Sequence, residues 1–218
     1  IHDDIEDGDL ARYDQPTLCG SEGVPVALNV GDLLIGEGYR LIAEAGLGAE
    51  AMKAAVQEAA DAQRQLCRGQ GIELSWSRSP TLLSSRQILE IFRLKTAPAF
   101  DAALQFGAIA AGRHPEVAGV LHRYSEAIGI AYQIRDDLDD LRDDAGLTRG
   151  GPARPSVVLA LAAERARGDD RTMLQAVAAG QNTASLSPDA IRRAVATAKA
   201  DEKAALLLES YKEQAIRA

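Results

Sequence analysis

Residues 132–140 read Tyr132-Gln133-Ile134-Arg135-Asp136-Asp137-Leu138-Asp139-Asp140. On a helix, Asp136 and Asp140 lie on one face, with Asp137 beside them and Gln133 one turn earlier. Stacked carboxylates repel. Each like-charge pair costs about 0.2–0.5 kcal/mol on an exposed helix, and burial makes it worse. Asp is also a mediocre helix former. Such a face calls for a cation, and a hard divalent ion with a preference for oxygen suits it. The start of the chain repeats the pattern in Ile1-His2-Asp3-Asp4-Ile5-Glu6-Asp7, where Asp3, Asp4 and Asp7 take the same places. The two D-D-x-x-D copies stand about 130 residues apart. One copy is as readily a solvated acidic face. Two copies in helical context argue for ligation. They are not EF-hands, which alternate their acids around a central Gly and end in Glu.

Outward from these motifs the pattern stays helical. Ala-, Leu- and Glu-rich segments recur without a convincing alternating strand. Ser84 followed by Gln87 is a capping box. Ser187-Pro188-Asp189 supplies an N-cap, a proline at N1 and an acid in the first turn. Helices are predicted over 1–8, 24–45, 49–67, 84–112, 116–140, 155–167, 170–177 and 188–218, with a loop from 8 to 23. Pro98 falls inside one of them and is expected to bend it. Residues 146–155 are the most loop-like, and no linker divides the chain. The expectation is an all-α, single-domain bundle over 1–218.

The 218 residues suffice for one sizeable core, and 26% charged residues mark a globular composition. No apolar run is long enough to span a bilayer, so stable membrane insertion is not expected. The net charge is −8 and no basic face stands out, which excludes an ordinary nucleic-acid binder. Cys19 and Cys67 have no metal-ligand spacing and read as reduced thiols of a cytoplasmic protein. Cys67, at a predicted helix end, reads as a buried small hydrophobe. His2, His114 and His122 read as structural or surface residues. No Ser–His–Asp pattern suggests a nucleophile.

Further motifs join the acidic pair in order: Arg12, Pro16-Thr17, Asn29-Val30-Gly31-Asp32, Gly69-Gln70 and Lys95-Thr96-Ala97. Together they resemble the trans-isoprenyl diphosphate synthase family over nearly the whole chain. That resemblance implies the isoprenoid synthase fold and a homodimer. It also implies a prenyltransferase that condenses an allylic diphosphate with isopentenyl diphosphate into a longer trans-prenyl diphosphate. Asp3, Asp4, Asp7, Asp136, Asp137 and Asp140 would hold three magnesium ions per site. Arg12 and Lys95 would contact the allylic diphosphate. Thr96 and Gln133 would position the allylic end, with Gln133 facing the developing cation. Lys95, Gln133, Asp3 and Asp136 would carry the catalytic role.

The sequence departs from the family pattern in places. The family's R-R-G-x-P-T reads Arg12-Tyr13-Asp14-Gln15-Pro16-Thr17 here. Tyr13 replaces the arginine that grips isopentenyl diphosphate, and a phenol cannot form arginine's bidentate pair with phosphate. Helices upstream of the first motif are expected to be missing from this sequence, leaving apolar faces exposed. No lysine lies between Asp140 and Pro155, where the family carries them, and Arg149 or Arg154 is the candidate stand-in. Two rival readings share the fold. A class I terpene cyclase would line its cavity with aromatics, which make up only 4% here. A non-catalytic relative would have no need of two complete acid motifs.

Overall fold

The computed structural model describes residues 1–142, 154–181 and 186–218. The chain opens with α1 (His2–Asp7), stopped by Gly8 in the left-handed conformation. A minimal hairpin follows, β1 (Ala11–Arg12) antiparallel to β2 (Gln15–Pro16). Next come α2 (Leu18–Glu22), α3 (Val24–Glu44), α4 (Ala49–Arg78), α5 (Ser85–Ala110) and α6 (His114–Arg142). Beyond the second acidic motif lie α7 (Val157–Arg165), α8 (Gly168–Ala178), α9 (Pro188–Thr197) and α10 (Ala200–Arg217). The all-α expectation holds. No helix among the described residues is long and apolar enough to cross a membrane.

The capping signals act as read. Ser84 and Gln87 form a reciprocal capping box, and the Ser187 hydroxyl accepts from the Ala190 N–H. Other boundaries differ. The predicted helix over 49–67 runs on to Arg78, so Cys67 sits mid-helix and exposed, not buried at an end. The reason is Gly69, which reads as a stop signal but serves packing. A Cβ there would lie 2.5 Å from the Lys95 backbone nitrogen and 2.6 Å from the Leu94 carbonyl carbon. Gly129 does the same where α6 crosses α5, with a Cβ 2.6 Å from the Ala97 Cα. Glycine alone lets these backbones approach so closely. Helix α5 continues through buried Pro98. Pro98 has no N–H for the Leu94 carbonyl, so α4 crosses where α5's own ladder is open.

The predicted helix over 188–218 is two helices. Lys199 takes φ 52° and ψ 39°, and the chain breaks there while burying Ala194, Val195, Ala200 and Ala204. The segment read as a loop from 8 to 23 contains α2, capped by the Thr17 hydroxyl accepting from the Gly20 N–H at 3.2 Å. The loop-like stretch 146–155 lies outside the described residues except for Arg154 and Pro155.

Helices α4, α5 and α6 pack in succession, and α10 packs on α6. The main core joins Ile88 and Phe92 of α5, Ile130 and Ile134 of α6, and Val157 and Leu161 of α7. Ile134 and Leu138 turn the back of the second acidic motif into this core. Their burial aims Gln133, Asp136 and Asp140 the other way.

Candidate active site

The first motif is held from three sides. Behind it, the His2 ring sits over Gly31 of α3, where a Cβ would meet the ring nitrogen at 2.6 Å, and Nε2 lies 3.2 Å from Asp32. This docking explains Gly31-Asp32 as a seat for α1. Below, the hairpin presents Arg12, whose Nε donates to Asp4 Oδ1 at 2.9 Å and whose Nη2 reaches Asp3 Oδ2 at 3.4 Å. Thr17 fastens the hairpin, its hydroxyl donating to the Asp9 carbonyl at 2.7 Å. At the tip, Tyr13 and Asp14 take φ 52° and 59°. These are the two left-handed positions of a tight two-residue turn, so the family's glycine at position 14 has a steric reason that Asp partly satisfies. Tyr13 is 88% exposed.

Across from α1, Lys95 of α5 lies 3.8 Å from Asp3, 4.0 Å from Asp7 and 3.0 Å from Glu73 of α4. Glu73 is buried, one helical turn beyond the Gly69 crossing, and its carboxylate fixes the ammonium. Arg154 enters from the far side, its Nη2 2.9 Å from Asp7 Oδ2 and 3.3 Å from Asp9 Oδ2. Burial pushes the Asp7 carboxyl up from its ordinary range, and Lys95 and Arg154 pull it back.

On α6, Asp139 points to the surface, paired with Arg142 at 2.8 Å and Arg135 at 3.7 Å. Asp136 and Asp140 have no ion-pair partner among the described residues. Burial raises the Asp136 carboxyl, and Asp140 and Asp139 raise it further against the pull of Arg135. Asp137 is placed differently from its neighbours. Its Oδ2 accepts from the Val158 N–H at 3.1 Å, at the first turn of α7. Burial pushes this carboxyl up to about 6, opposed by hydrogen bonds from Ser156 and from the Val158 and Val157 backbone. Gln133 and Thr96 are half-buried, and neither side chain makes a hydrogen bond among the described residues.

The two motifs are thereby brought together. Arg154 touches Asp7 while Val158, four residues on, touches Asp137. That segment spans at most ~14 Å. Of the residues singled out from sequence, Asp3, Asp7, Arg12 and Lys95 converge directly. Asp136, Asp140 and Gln133 share the open face of α6. Asp4 and Asp137, expected to ligate alongside the others, are taken up by Arg12 and by α7. Sequence reasoning missed Glu73 and Asp9 and offered Arg154 only as a stand-in. An acid one turn after a packing glycine was the available signal for Glu73.

Among the described residues no three acidic, His or Cys side chains form a ready-made metal cage. Magnesium does not need one, since it takes one or two carboxylates and completes its shell with water and phosphate oxygens. The hard-oxygen donors Asp3, Asp7, Asp136 and Asp140 fit it. The first two are already held by cations, and the last two have no ion-pair partner among the described residues.

A helical bundle in which one short segment ties two aspartate-rich helices together beside a lysine and two arginines defines the isoprenoid synthase class. The polyprenyl synthetase family model matches residues 1–197, and the chain belongs to that family. It is 30% identical over 180 residues to a short chain isoprenyl diphosphate synthase of Methanothermobacter thermautotrophicus, covering 80% of this chain and 55% of that one. Against a geranylfarnesyl diphosphate synthase of Natronomonas pharaonis it is 33% identical over 153 residues, covering 69% and 45%. The chain thus spans about half the length of the curated relatives it matches. It superposes on the geranylgeranyl pyrophosphate synthetase of Pyrococcus horikoshii with TM-score 0.83 and 26% identity, over 98% of this chain and 66% of that one. The geranylgeranyl pyrophosphate synthase of Corynebacterium glutamicum, complexed with isoprenyl diphosphate and magnesium, gives 0.82 and 26%, over 99% and 67%.

Proposed function

We propose that the chain is one catalytic unit that elongates an allylic diphosphate with isopentenyl diphosphate to a longer linear trans-prenyl diphosphate. The carrying observation is that one short segment, residues 154–158, ties the first acidic motif to the second beside Lys95 and Arg12. The Corynebacterium glutamicum relative supports it, being complexed with isoprenyl diphosphate and magnesium. Asp3, Asp7, Asp136 and Asp140 would hold the magnesium ions, three per site as the family resemblance implies. Bound there, magnesium neutralises the leaving diphosphate.

The chain's own residues do the rest. Lys95 keeps one N–H on Glu73 and offers the others, freed from Asp3 and Asp7, to phosphate oxygens. Arg12, held by Asp4 through Nε, and Arg154 would likewise offer guanidinium N–H groups to phosphate oxygens. The allylic C–O bond breaks and the diphosphate leaves with the electron pair. The Gln133 carbonyl oxygen and the Thr96 hydroxyl face the allylic cation. The isopentenyl double bond attacks it, and the proton then lost goes to the released diphosphate. Tyr13 supplies at most one neutral hydrogen bond to the second diphosphate. The low aromatic content disfavours a cyclase pocket, and the two intact motifs disfavour a non-catalytic relative. A homodimer and a cytoplasmic location complete the proposal, supported by the exposed apolar face of α3 and by two free thiols.

Incubation with magnesium, isopentenyl diphosphate and dimethylallyl, geranyl or farnesyl diphosphate tests the reading by mass spectrometry. A linear product longer by five carbons is expected. Cyclic hydrocarbon, or no elongation of any primer, would overturn it.

A further inference from the structure

We infer that Asp137 is not a metal ligand but the anchor of α7, and that through α7 it sets Arg154 against the first acidic motif. The inference rests on the magnesium reading of Asp136 and Asp140.

The first turn of α7 has backbone N–H groups with no partner inside the helix. Val157 and Val158 are fully buried, so water cannot serve them. The Ser156 hydroxyl accepts from the Leu159 N–H at 3.1 Å, and the Ser156 carbonyl accepts from Ala160 at 2.9 Å. Asp137 serves the others, accepting from Val158 at 3.1 Å and bonding the Val157 backbone and the Ser156 side chain. A carboxylate at this end of a helix also meets the favourable end of its dipole.

The chain just before α7 transmits that anchorage. Pro155 is buried, and its ring fixes its own φ. Arg154 precedes it and holds Asp7 at 2.9 Å and Asp9 at 3.3 Å. Release of Asp137 frees the N-terminus of α7 and with it the guanidinium. The first motif shows the same division of labour. Its second aspartate, Asp4, is buried and bonded by Arg12, while Asp3 and Asp7 face Lys95. In both copies the first and last aspartates face the site, and the middle one is committed to the protein.

The test compares D137N, D137A and D136N. Asparagine keeps an oxygen acceptor for Val158 but is a poor metal ligand. D137N should therefore retain amide-exchange protection at Val157–Leu159 and shift the half-saturating magnesium concentration by less than about twofold. D137A should lose that protection at least tenfold. It should raise KM for the allylic diphosphate severalfold, an increase not additive with that of R154A. If D137A does not fold, D137N alone decides. A magnesium shift in D137N as large as that of D136N would overturn the inference, as would unchanged protection in D137A or full additivity with R154A. D136N reports on the underlying reading separately, because a magnesium requirement unmoved in D136N sinks the metal assignment whatever D137N does.

Discussion

Lys95 shows how one residue is committed to fold and chemistry together. Its side chain is 15% exposed and that of its nearest partner, Glu73, only 6%. Removing one member of a buried pair leaves a bare charge, which costs about 3–5 kcal/mol, whereas replacing both with apolar groups is often neutral. Lys95→Met should therefore destabilise by roughly 3 kcal/mol in denaturant unfolding, the lower end of that range. Adding Glu73→Leu should restore most of the stability while the protein stays inactive. If the double variant is no more stable than the single one, Glu73 is not the buried partner that matters. Tyr13 makes the converse case. It stands at the tip of the hairpin in a left-handed conformation, beside Asp14 where the family has glycine. Charge-assisted hydrogen bonds contribute about 1.5–3 kcal/mol, so Tyr13→Arg should lower KM for isopentenyl diphosphate by about tenfold and leave KM for the allylic partner alone. An unchanged isopentenyl KM would place that diphosphate elsewhere. At this scale the sequence was legible wherever a residue belongs to a spaced motif, as with Asp3, Asp7 and Lys95. It was not legible for Glu73, Asp9 and Arg154, whose roles depend on elements far apart in the chain meeting in space.

The helices were legible where local chemistry decides them. Ser84 with Gln87, and Ser187 with Pro188, act within one turn, and both appear as read. Boundaries set by packing were not. Gly69 resembles a helix stop but sits in the middle of α4, because α5 passes against it. Lys199 resembles ordinary helix but breaks the last one, because Ala200 and Ala204 are wanted in the core. Two glycine substitutions separate these effects. Gly107 of α5 has nothing within 4 Å of a would-be Cβ, so Gly107→Ala should gain about 0.5–1 kcal/mol from reduced chain entropy. Gly69→Ala would press on the Lys95 backbone and should cost about 1–3 kcal/mol as overpacking. Thermal unfolding of the two variants should move in opposite directions. Equal shifts would mean that α4 and α5 do not meet at Gly69.

Taken whole, the molecule buries Asp4 and Asp7 of its first acidic motif well and one of its helices poorly. Helix α3 buries only Ala27 and Gly31, one turn apart, against its neighbours. Leu33, Leu34 and Leu41 stand 60%, 54% and 60% exposed. A helix apolar on more than one face belongs in an interior or an interface. Fully burying a Leu contributes about 1.5–3 kcal/mol, so covering these three side chains favours association. Exposed apolar faces were expected from the sequence, but not on which helix. The homodimer proposed here makes a definite demand. Leu34 and Leu41 are seven residues apart on one face of α3. Leu34→Glu with Leu41→Glu should put charge into the shared interface, so sedimentation should report the mass of one chain where the parent gives two. The parent's melting temperature should rise with protein concentration, as expected when association stabilises the native state, and the variant's should not. A variant that keeps the parent's mass would remove α3 from the interface.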